Sequence, residues 1–125
     1  MIYLKTEDEI GLLRESGQIV AKALGEVARY IKPGVTTKQL DNIAEETIRS
    51  YGAVPSFLNY NGFPATLCTS VNEQIVHGFP SDKVFLEDGD IISVDCGACK
   101  NGFHGDSAYT FRVGDEKGIL KATVE

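Results

Sequence analysis

The chain has 125 residues, 42% of them hydrophobic and 24% charged, which suits one globular domain and excludes a disordered or fibrous polypeptide. A net charge of -6, with the acidic excess concentrated in residues 51–125, argues against an extended phosphate-binding surface and so against nucleic acid as a partner. No apolar run is long enough to span a bilayer, and the first eight residues lack the layout of a signal peptide; no membrane partner is expected, and the cytoplasm is the expected location.

Helices come first. Thr6 and Glu9 form a capping-box pattern, after which Ile10, Leu13, Gly17, Val20, Leu24, Val27 and Ile31 recur at steps of three and four. That spacing predicts one apolar stripe along a helix of about seven turns, ended by Lys32-Pro33-Gly34. Gly17 lowers helix propensity by roughly 1 kcal/mol relative to Ala, a cost that close approach of another element would justify. Thr36 and Gln39 offer a second capping box, with Leu40, Ile43, Ala44, Thr47, Ile48 and Tyr51 as the inward face and Gly52 as a left-handed cap.

Strands and turns follow. Val54 to Leu58 and Ala65 to Val71 read as strands around a loop at 59–64, and Leu86 to Asp90 is a tight turn into the β-prone run Ile91 to Asp95. Asn101-Gly102 is a strong hairpin signal of type I′. If that turn is regular, paired residue numbers sum to 203, so Asp95 lies opposite Ala108 and Asp106 opposite Gly97. By parity these four share one face, while Ile92, Val94, Cys96, Tyr109 and Phe111 form a buried layer on the other. The fold class is α+β, two helices followed by an antiparallel sheet.

Cys68, Cys96 and Cys99 are an odd count with no export signal, so a disulfide framework is not expected. Cys96-Gly97-Ala98-Cys99 matches C-x-x-C in letters, but on a strand the odd spacing sends the two thiols to opposite faces.

Asp95 and Asp106 become diagonal neighbours with α-carbons ~7–8 Å apart. At ~5 Å in an effective dielectric of ~20, two such carboxylates repel by roughly 3 kcal/mol. Spacing alone leaves four readings: a solvated hairpin whose acids do nothing, a proton-sharing pair, a glycosidase pair, or a divalent metal site. The absence of Trp disfavours a sugar cleft. His104 points to the same face, as a ligand or in a supporting or surface role, and His77 lies in a shaped loop with Gly78 and Pro80.

Three segments taken together, Val71 to Pro80, Asp88 to Asp95 and Asn101 to Ala108, closely resemble bacterial type I methionine aminopeptidases, and the similarity extends over nearly the whole chain. The implied fold is the N-terminal half of the "pita-bread" α+β architecture, with residues 1–125 a single partial domain. The resemblance implies removal of initiator methionine from nascent polypeptide N-termini. It assigns Asp95 and Asp106 to a pair of divalent ions (Mn, Fe, Co or Zn) that activate water and stabilise the oxyanion. His77 falls at the family's proton-handling histidine near the scissile peptide, and Tyr60, Phe63 and Cys68 at the methionine side-chain pocket. Phe57 falls at the same wall, where some members carry a smaller residue. No histidine follows Asp106, and Glu116 and Glu125 lie outside the family's glutamate motifs, so three of its five metal ligands are missing and the chain is expected to be truncated. Two functions follow: aminopeptidase chemistry, or a non-catalytic half that binds or pairs as a homodimer through its exposed half-fold surface.

Overall fold

The computed structural model describes residues 7–58, 65–72 and 80–114, and the backbone of 119–123. Among the described residues two helices, α1 (Glu7–Tyr30) and α2 (Thr37–Ser50), precede five strands: β1 (Val54–Pro55), β2 (Leu67–Val71), β3 (Ile91–Lys100), β4 (Phe103–Arg112) and β5 (Ile119–Thr123). All pairings are antiparallel. β3 is central, with β4 and then β5 on one side and β1 and β2 end to end along the other. β5 falls beyond the segments that the sequence patterns assign.

The α1 stripe is buried from Ser16 to Val27, through Ile19, Val20, Ala23 and Leu24; Ile10, expected to face inward, is exposed. Thr6 lies outside the described residues, so the first capping box does too. The second is present: Gln39 N donates to Thr36 Oγ1 at 3.1 Å and Thr36 N to Gln39 Oε1 at 2.8 Å. Gly52 has φ +77, the left-handed value expected of it. Tyr51 turns outward rather than inward, where Lys22 Nζ sits 4.4 Å from its ring centroid.

Helix and sheet meet at glycine. A Cβ on Gly105 of β4 would lie 2.8 Å from Gly17 N and 3.0 Å from Gly17 Cα, so this strand rests directly on the helix backbone. A Cβ on Gly17 itself would meet nothing within 4 Å. The close approach anticipated from Gly17 is real, but the residue whose missing side chain permits it is Gly105. Ser16 Oγ donates to Phe103 O at 2.7 Å and Lys100 Nζ pairs with Glu15 Oε1 at 2.7 Å, fastening the hairpin end to α1.

The core lies between the helices and one face of the sheet. Val20, Leu40, Ile48, Leu67, Ile92, Val94 and Phe111 are almost wholly buried there. Among the described residues no helix is long and apolar enough to cross a membrane.

Two strands are shorter than their sequence patterns. β1 stops at Pro55, whose nitrogen has no hydrogen to give; Ser56 N still donates to Gly97 O at 3.0 Å, and the chain then bends across the sheet. β2 starts at Leu67 rather than Ala65: the amide of Thr66 donates to the Asp41 carboxylate instead of to a ladder, and that of Leu67 joins it there.

Candidate metal centre

The β3–β4 hairpin has the register fixed by its turn. Asn101 and Gly102 both take positive φ, +55 and +80, as a type I′ turn requires, and every pair from Ile91↔Arg112 to Lys100↔Phe103 is in step. Asp95 therefore lies opposite Ala108 and Asp106 opposite Gly97, with both carboxylates on the face turned away from the core. Asp95 is half-buried and Asp106 exposed.

β2 adds a third column to this face. Cys68 pairs directly with Asp95, so thiol, carboxylate and the Ala108 methyl form one row across three strands. Burial pushes the Cys68 thiol above its ordinary value, and the Asp95 charge adds to the shift. Cys96 looks the other way into the core, where burial, then Asp41, then Asp95 push its thiol up to about 12. The thiols of Cys96 and Cys99 thus lie on opposite faces of β3, as expected, and all three cysteines are free.

On the hairpin-tip side of the aspartates, Ser56 and Phe57 lie over Gly97: a Cβ there would be 3.1 Å from both Phe57 Cε1 and Ser56 Cβ. Ser56 Oγ and His104 Nδ1 share a hydrogen bond of 2.9 Å. Ser56, Phe57, His104, Gly105 and Asp106 line an open cavity of about 350 Å³. His104 thereby has one ring nitrogen fixed by a serine. The Ser56–His104 bond joins residues 48 apart and leaves no trace in sequence spacing, whereas the pairing of a large wall side chain at Phe57 with none at Gly97 is a signal that residue size alone carries.

Tyr60, Phe63 and His77 lie outside the described residues. Of the six residues assigned to the site from sequence, the structure brings Cys68, Asp95 and Asp106 onto one sheet face.

The model of metallopeptidase family M24 matches residues 11–125. The chain belongs to that family. Methionine aminopeptidase 1 of Bacillus subtilis (strain 168) is 54% identical over 129 residues, an alignment spanning 100% of this chain and 52% of the relative. Methionine aminopeptidase of Clostridium perfringens is 54% identical over 115 residues, spanning 92% and 46%. Among solved structures, methionine aminopeptidase from Thermotoga maritima superposes with a TM-score of 0.87 at 40% identity, over 94% of this chain and 48% of that one. Prolidase from Pyrococcus furiosus gives 0.76 at 26% identity, over 90% and 32%. The M24 chain thus has the pita-bread fold of its structural neighbours, and spans about half the length of the curated relatives it matches.

Family membership implies use of a divalent metal. Asp95 and Asp106 fit two positions of such a donor set: both are carboxylates on one face, and their cross-strand partners on β3 and β4 are small. Among the described residues no third His, Cys, Asp or Glu joins them to complete a metal-holding group.

Proposed function

We propose that this chain supplies the first half of a methionine aminopeptidase site, which removes the initiator methionine from nascent polypeptides in the cytoplasm. The observation that carries this reading is the shared face of Asp95 and Asp106, supported by 46–54% identity to relatives named methionine aminopeptidase. Prolidase shares the fold at only 26% identity, so similarity of sequence, not of fold, selects the substrate class.

Asp95 and Asp106 would hold the ions, with Mn, Fe, Co and Zn all compatible with carboxylate oxygen. When bound, the metal pair supplies an activated water and a Lewis acid for the scissile carbonyl. His77 handles a proton beside the scissile peptide. Cys68, kept as a neutral thiol by burial and by Asp95, provides with Tyr60 and Phe63 a polarisable apolar wall for the methionine thioether. Residues 1–125 form one domain in this reading.

The test is peptide turnover. With a Met-Ala peptide and Mn(II), Co(II) or Fe(II), release of methionine above that of Asp95→Asn supports catalysis by this chain. No difference from that control rejects it.

A second reading, favoured by the lack of a third ligand among the described residues, is a binding or self-associating module. Such a module would offer the groove between α1 and β4, about 140 Å³ and lined by Leu24, Ala28, Tyr109 and Phe111. Light scattering at micromolar concentration is expected to report a dimer; monomer alone would reject it.

A further inference from the structure

Asp41 is a charged residue in the core, 1% exposed, on the face of α2 that packs toward β2. Its Oδ1 accepts from Thr66 N at 2.9 Å and from Leu67 N at 2.7 Å, while Lys38 Nζ stands 3.6 Å from Oδ2. Two consecutive amides enter β2 through a buried bend, and one carboxylate oxygen satisfies both. Among the described residues the neighbouring Thr66 hydroxyl is buried with no hydrogen-bond partner, so none of them gives the bend an alternative anchor there. Cys68, the next residue but one after Thr66, is the cross-strand partner of Asp95.

We propose that Asp41 is the positioning residue that docks the start of β2 onto α2 and so holds Cys68 in line with Asp95. The docking atom is the acceptor oxygen Oδ1, which both amides use; Lys38 reaches only Oδ2. Its importance for the pocket wall rests on the reading of this face as a metallopeptidase site, but the docking does not.

The test is alkylation of the whole chain by iodoacetamide, resolved by peptide mass at Cys68 and Cys96, with amide exchange at Thr66 and Leu67. Asp41→Ala leaves two buried donors unpaired, and Cys68 is expected to label about tenfold faster or more while Cys96 stays protected. Asp41→Asn keeps Oδ1 and is expected to restore both readouts to within about threefold, and Lys38→Met to leave them unchanged. An unchanged Cys68 rate in Asp41→Ala overturns the proposal. If Asp41→Ala opens Cys96 as well, Asp41→Asn decides: restored protection supports the proposal, and a rise of about tenfold at Cys68 overturns it. Mn(II) affinity measured in parallel on the natural chain tests the metal reading separately, because labelling needs no metal.

Discussion

Asp106 stands exposed on a sheet face whose nearest opposite residue has no side chain, so its carboxylate is free to serve a ligand at little packing cost. Asp106→Asn removes one of the two charges offered to a cation, and Mn(II) affinity by calorimetry should fall about tenfold or more with the fold intact. Gly97 carries a different constraint. A methyl there lies 3.1 Å from Phe57 and Ser56, so Gly97→Ala should cost about 1–3 kcal/mol in urea unfolding, and Phe57→Leu in the same chain should recover part of it. Cys96 sets a pH limit. Its thiol ionises near the ordinary value of 9.0 when unfolded and at about 12 when folded, so in that window the folded chain binds the extra proton. Stability attributable to this group is therefore constant below pH 9 and falls by about 1.4 kcal/mol per pH unit above it. Urea titrations of Cys96→Ala should show a flatter alkaline limb than those of the natural chain.

The elements that a local rule fixes are legible in the amino-acid sequence, and those that a distant side chain fixes are not. Asn101-Gly102 demands positive φ at both positions, and that single turn sets ten cross-strand pairs, including the placement of both aspartates. The Thr36–Gln39 box is equally local, and Thr36→Ala should cost about 1 kcal/mol by thermal unfolding. The start of β2 departs from its sequence pattern because Asp41, 25 residues from Thr66, takes its amide. β1 ends at Pro55 for a local reason, but the path that then lays Phe57 over Gly97 is set across the sheet. Gly17 marks the right contact for a different reason, since the missing side chain that matters belongs to the strand. Gly105→Ala should destabilise by about 1–3 kcal/mol through overlap with the helix backbone, whereas Gly17→Ala, with nothing within 4 Å, should stabilise by roughly 0.5–1 kcal/mol. A reversal of those signs would show that the helix does not rest on the strand as described.

Across the whole molecule, one sheet face packs into the core and the other carries the proposed site. The helices bury Ile92, Val94 and Phe111, which leaves the alternate positions of the same two strands to display Asp95, Asp106 and His104. That division is what the period of two in a strand allows, and it accounts for fold and site with one hairpin. The architecture recurs in prolidase as well as in methionine aminopeptidase, so the half-fold by itself does not select one substrate. The most direct measurement is the anomalous difference map of a Mn(II)-soaked crystal of this chain. The account predicts a peak within carboxylate bonding distance of both Asp95 and Asp106. Peaks only elsewhere, or the two carboxylates turned to opposite sides of the ribbon, would contradict it.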